Sequence, residues 1–160
     1  MVFEGYKMRL SHHATVWSAL LFLLVFSNPS HAALGSLPMA LAGTGAVAAM
    51  RYVTTANMVY TVTKSTLPNS TVVHEYVAAN GKVFAVSWKG PFLPDFQDLL
   101  GQHFSTMLDE AGKAVKAGNS QLSVTLPELV LSSRGHLHAF EGQAWIPLDL
   151  PTGFKLGELH

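Results

Sequence analysis

Asn80-Gly81 is the residue pair that most constrains what this chain can fold into. It separates residues 71–79 from residues 82–88, two stretches dense in Val, Phe, Tyr and Trp. Asn-Gly between such runs is the strongest short-range signal for a β-hairpin. The turn also dictates register: a two-residue turn sets Val77 against Phe84, Glu75 against Val86 and Val73 against Trp88. Val73, Val77, Phe84, Val86 and Trp88 then share one face, which is the core side.

Other elements follow from this hairpin. Residues 58–64 alternate as Met58, Tyr60, Val62 against Val59, Thr61, Thr63, a strand pattern that Pro68-Asn69-Ser70 ends. After Gly90-Pro91, Asp95 is placed to cap a helix, with Asp98 in its first turn where an acid suits the helix dipole. Phe96, Leu99, Leu100, His103, Phe104, Met107, Leu108 and Ala111 recur at helical spacing, predicting about four turns that end near Gly112. Residues 113–120 are a polar connection. Residues 122–126 and 129–132 read as strand on either side of Pro127. Ser133-Arg134-Gly135 reads as a three-residue turn with Gly135 left-handed, followed by a strand over 136–146 that Gly142 bulges. That register groups Leu129, Leu131, Leu137 and Ala139 on the core side. One helix cannot cover both faces of a parallel sheet. The expected fold is therefore α+β: an antiparallel sheet of five to six strands, order β-β-β-α-β-β, with one amphipathic helix across one face.

The N-terminal third carries an address. Lys7 and Arg9 precede a charge-free apolar run over 14–26, and Ser30-His31-Ala32 follows as a small-x-small triplet. This is the pattern of a secretory signal peptide, and the run is shorter than the roughly 20 residues a membrane span needs. Residues 1–32 are expected to be the signal peptide, cut after Ala32 in preference to the second triplet at 40–42. Translation from Met8 would give a more regular leader than Met1, because Glu4 is an unusual acid in a positive leader segment. Residues 33–56, rich in Ala and Gly, read as a flexible lead-in, residues 57–150 as the single domain, and residues 151–160 as a C-terminal tail. The expected location is periplasmic or secreted, with no membrane span after processing.

Composition narrows the function. The chain has no cysteine, which removes disulfides, thiolate metal sites and cysteine nucleophiles. Ten basic and ten acidic residues balance, without a like-charge block, so no basic face is available for nucleic acid. Gly43-Thr44-Gly45-Ala46-Val47-Ala48 has the form of a dinucleotide fingerprint but lacks a preceding strand and a ribose-binding acid, so no cofactor is implied.

Four residues merit attention as chemistry. Glu75 falls among apolar neighbours in the hairpin register, where a raised pKa would suit an acid or base, although a structural pairing with Lys82, Lys89 or Arg134 is the commoner outcome. His103 lies within the apolar stripe of the helix, as a core histidine or a general base. His136 and His138, two apart on one strand face, could share a metal, but zinc needs three or four ligands.

Several segments together resemble one family. They are Tyr60-Thr61-Val62; Thr71-Val72-Val73 followed by Glu75-Tyr76-Val77; and Val83-Phe84-Ala85-Val86 with Trp88 and Gly90-Pro91. Pro94-Asp95 with Leu99-Leu100-Gly101, and Gly135-His136 with Ala139-Phe140, continue the pattern. They resemble the exported proteobacterial group known as domain of unknown function 2844, over about residues 57–147. The resemblance implies export and a compact domain, and it implies no activity or catalytic residue. The expectation is an exported envelope protein acting as a non-enzymatic binding or accessory module for another exported protein or a surface polymer. The alternatives are a small periplasmic hydrolase using Glu75 or His103, and a weak metal binder through His136 and His138.

Overall fold

The computed structural model describes residues 34–38, 48–113 and 121–160. Residues 1–32, read above as a signal peptide, and most of the Gly43–Ala48 stretch lie outside the described residues. Seven strands form one antiparallel sheet: β1 (Ala48–Val53), β2 (Val59–Thr66), β3 (Val72–Ala78), β4 (Val83–Gly90), β5 (Gln121–Thr125), β6 (Val130–His136) and β7 (Ala139–Trp145). Their spatial order is β1-β2-β3-β4-β7-β6-β5. Between β4 and β5 run two helical pieces, α1 (Phe96–Leu100) and α2 (Phe104–Lys113), joined by a 3-10 turn.

The α+β class and antiparallel sheet agree with expectation, while the strand count and order need correcting. Among the described residues there are seven strands, four before the helix and three after. The additional strand, β1, lies inside the stretch read as lead-in. It is an edge strand whose Met50, Tyr52 and Val53 are exposed and whose start is Ala-Ala, so burial imprints no alternating pattern on it.

The central hairpin shows how local and global register are reconciled. Its loop is one residue longer than a two-residue turn: Ala78 N donates to Lys82 O at 2.9 Å, and Gly81 takes the left-handed conformation at φ 83°. A bulge between the Tyr76 and Val77 pairs then absorbs Phe84 as an extra residue. The two irregularities cancel, so Glu75 faces Val86 and Val73 faces Trp88 as the sequence implies. Phe84 itself does not join that face. It packs with Tyr60, Tyr76 and Ala85 on the other side of the sheet.

Both faces are therefore covered. On one, Val73, Val77, Val86, Trp88, Leu131 and Ala144 meet Leu99, Leu100 and Met107 of the helices. Asp95 caps α1, its Oδ1 accepting from Gln97 N at 2.8 Å and Asp98 N at 3.3 Å. The single predicted helix is broken at Gly101, whose φ of 52° and ψ of −120° suit glycine and no other residue. On the second face, Leu150, Phe154 and Leu159 pack on Tyr60, Tyr76, Phe84 and Trp145. Phe154 meets Tyr60, Tyr76 and Phe84 at centroid distances of 5.2, 6.1 and 5.0 Å. The stretch read as a tail is a strap across the sheet.

The last hairpin also turns elsewhere than expected. Residues 133–135 remain in β6, and the turn is Leu137-His138, with His138 at φ 64°. Gly135 faces Phe140, where an added Cβ would lie 2.5 Å from its ring, so this glycine serves close packing. Leu137 is 80 % exposed, because the hairpin tip projects beyond the core and burial cannot select register there.

Candidate functional site

Antiparallel pairing places polar side chains of β4, β7 and β6 in lateral rows on the strap-bearing face. His74, Ser87, Gln143, Ser132 and Ser123 form one row by register, running from β3 to β5. Lys89, Glu141, Arg134 and Gln121 form the next, two residues further along each strand. Neighbouring strands stand about 4.8 Å apart, and alternate residues along a strand about 6.6 Å apart. The rows thus make a lattice of donors and acceptors, which the opposite, apolar residues of the same strands anchor in the core.

The strap covers only part of this face, and its last residues wall a groove of about 410 Å³ over the rest. Ser87, Ser132, Gln143, Arg134 and Glu141 line its floor, with Leu159 and His160 at its side. The wall is held by hydrogen bonds. Ser87 Oγ donates to His160 O at 2.8 Å, and His160 N donates to Tyr76 Oη at 3.0 Å. A second open pocket, of about 720 Å³, continues towards the Leu137-His138 turn and shares Lys89, Arg134 and Glu141 with the first.

Charge in the groove is largely compensated. Arg134 Nε and Nη2 both reach Glu141 Oε1, at 2.8 and 2.6 Å, and Lys89 Nζ lies 3.6 Å from Oε2. The Arg134 guanidinium holds the Glu141 carboxyl below the usual carboxylate range. At the margin, His74 and His160 rings lie 5.9 Å apart. Partial burial, then His160 and Lys64, push the His74 imidazole below its ordinary value.

The structure disperses the residues singled out from sequence. Glu75 is fully buried on the helix side of the sheet, opposite Val86 and Thr63. Arg134, one of its expected partners, binds Glu141. His103 lies in the 3-10 turn between α1 and α2, where partial burial lowers its pKa and the carboxylates acting on it are Asp149 and Glu128. His136 is exposed at the end of β6, and His138 sits in the turn with its ring edge-on to Phe92 at 6.0 Å. Among the described residues no cluster of three or more His, Cys, Asp or Glu is arranged to hold a metal ion.

Sequence reasoning missed Ser87, Ser132 and Gln143 as a group. The available signal was polar i, i+2 spacing within strands: Ser87 and Lys89, Ser132 and Arg134, Glu141 and Gln143. Only the strand order β4-β7-β6 brings the three pairs side by side.

Fold and groove together define a class: a single-sheet α+β domain, helix-covered on one face and strapped on the other, with a polar groove beside the strap. Among the described residues, no helix is long and apolar enough to cross a membrane. The chain belongs to the family described as Protein of unknown function (DUF2844), whose model matches residues 30–159. That match takes in both β1 and the strap, beyond the 57–147 segment that carries the motifs. Comparison with curated proteins and with solved structures finds no match.

Proposed function

We propose that this chain is an exported envelope protein, periplasmic or secreted, that binds a surface polymer through the strap-side groove and does not cleave it. The carrying observation is the pair Gln143 and Ser132 beside the Arg134–Glu141 pair, the Ser87 hydroxyl next to them being taken by His160 O. Hydroxyl, amide and guanidinium groups offer both donors and acceptors, and they are spaced by the sheet on the scale of a sugar ring. A polyhydroxylated chain such as a polysaccharide fits this chemistry better than an apolar peptide does.

Binding without hydrolysis is supported by the carboxylates. Glycoside cleavage ordinarily takes two carboxyl groups facing one bond, one of them kept protonated. Among the described residues that line the groove, Glu141 is the one acidic side chain, and Arg134 and Lys89 favour its ionised form. The hydrolase reading through Glu75 or His103 is weakened by their positions, one under the helix and the other in the interhelical turn.

Affinity electrophoresis in gels carrying neutral or uronate polysaccharides tests the proposal. Retardation by at least one polymer that Gln143→Leu abolishes is the expected result. No retardation by any polymer, together with reproducible periplasmic crosslinking of this face to an exported protein, would replace the polymer by a protein partner.

A further inference from the structure

Residues 34–36 close the core. Strand β7 pairs with β4 only as far as Ala85, with Ile146 N reaching Phe84 O at 3.0 Å. The next N–H and C=O on β4 are those of Val83, and the N-terminal segment takes both. Gly35 N donates to Val83 O at 2.8 Å, and Val83 N donates to Ser36 O at 2.9 Å. Leu34 N donates to Leu99 O of α1 at 3.2 Å. The Leu34 side chain is 0 % exposed, in the same core as Val83, Val86, Leu99, Leu100 and Ile146. The segment occupies the sheet position that β7 vacates and plugs the core with a leucine.

We infer that this plug orders leader removal and folding: cleavage falls after Ala32, and it precedes docking of Leu34. The inference rests on the export reading proposed above. A cut after Ala42 would strip Leu34 from the core and leave both polar groups of Val83 without these partners, a state that buried backbone rarely tolerates. A cut after Ala32 leaves the plug intact. Peptide hydrolysis also needs an accessible, extended segment, and a docked one must first open locally. Leu34 is the second residue after the bond that follows Ala32 in the sequence, so a peptidase that binds the residues flanking that bond must first draw Leu34 out of the core.

The test uses the full-length precursor and signal peptidase in detergent. Precursor is added either directly from urea or after refolding, and products are weighed by mass spectrometry. Cleavage at least tenfold faster from urea, with a product beginning at Ala33, is expected. Leu34→Asp, which cannot dock, is expected to be cut equally fast by both routes. Equal rates for the unaltered precursor would overturn the ordering, as would a refolded Leu34→Asp precursor as resistant as the unaltered one. A product beginning at Gly43 that unfolds cooperatively would overturn the assigned site. No cleavage by either route would remove the leader reading and this inference with it, while leaving polymer binding to be judged by electrophoresis.

Discussion

Gly142 of β7 lies directly against the ring of Trp88: a Cβ built on Gly142 would stand 2.3 Å from Trp88 Cζ2. The glycine faces Trp88 and Ser133 by register, and β7 runs past it without the expected bulge. Trp88 is 2 % exposed and packs edge-on against Phe96 at 5.2 Å, so it has no room to retreat. Gly142→Ala is therefore expected to destabilise the domain by about 1–3 kcal/mol, the usual range for overpacking. Urea unfolding followed by Trp fluorescence checks this, and an unchanged midpoint would contradict the packing described.

Tyr76 is one of two phenols that hold the strap, Tyr60 being the other. Tyr76 Oη accepts from His160 N at 3.0 Å and lies 3.2 Å from Glu158 O. Tyr76→Phe removes the acceptor and is expected to cost about 1–3 kcal/mol of strap docking. Amide exchange should show residues 156–160 opening about tenfold or more faster, since each 1.4 kcal/mol is a factor of ten. Exchange unchanged in the strap would contradict a holding role for the Tyr76 hydroxyl.

Tyr60 should be the reluctant phenol. Burial, followed by its hydrogen bond to Glu158, raises its pKa well above the ordinary 10.0. Spectrophotometric titration should find one tyrosine that stays protonated when exposed tyrosines ionise, and Tyr60→Phe should remove it. The sign follows from linkage. A folded-state pKa above the unfolded value gives stability that is present below pH 10 and lost as pH rises through the folded value. Simultaneous ionisation of all tyrosines would contradict the Tyr60–Glu158 contact.

Acid should loosen the fold from the other side. Partial burial lowers the pKa of both His74 and His103 from 6.5, and His160 and Lys64 add to the effect at His74. The unfolded chain then binds these protons more readily, so stability is held above pH 6.5 and declines as pH falls below it towards the folded values. His74→Gln should flatten part of that decline in a pH series of urea midpoints. An identical slope in both proteins would contradict the contribution of His74.

What the sequence made legible is what local chemistry decides. Asn80-Gly81 marks its hairpin, and Asp95 its helix, because turn and cap are set by the residues that form them. The Glu75–Val86 register is also readable, since the longer loop and the Phe84 bulge offset one another. Phe84 could not be placed, because a bulge answers to packing on both faces, and Phe154 supplies one of those faces from 70 residues away. Edge strand β1 has too little burial to leave a pattern, and the Leu137-His138 turn lacks the turn residues that Ser133-Arg134-Gly135 displays. The groove was hidden for a further reason. Ser87, Gln143 and Ser132 become neighbours through strand order, a non-local property that no single segment encodes.

Within the groove, Arg134 and Gln143 are expected to matter for binding and not for folding. Both sit on the open side of the sheet, and exposed ion pairs such as Arg134–Glu141 contribute at most about 1 kcal/mol to stability. Arg134→Leu and Gln143→Leu should each weaken polymer affinity about tenfold or more while leaving the urea midpoint nearly unchanged. Loss of stability in step with loss of binding would reassign these residues to structure.

The most direct measurement is a map of amide chemical-shift changes on titrating the folded protein with oligosaccharides of the polymer that retards it. Binding through the strap-side groove predicts changes centred on Ser87, Ser132, Arg134 and Gln143, fading towards the helix face. Changes centred on β1, on α2 or on the Leu137-His138 turn, with the Ser87–Gln143–Ser132 row silent, would contradict it.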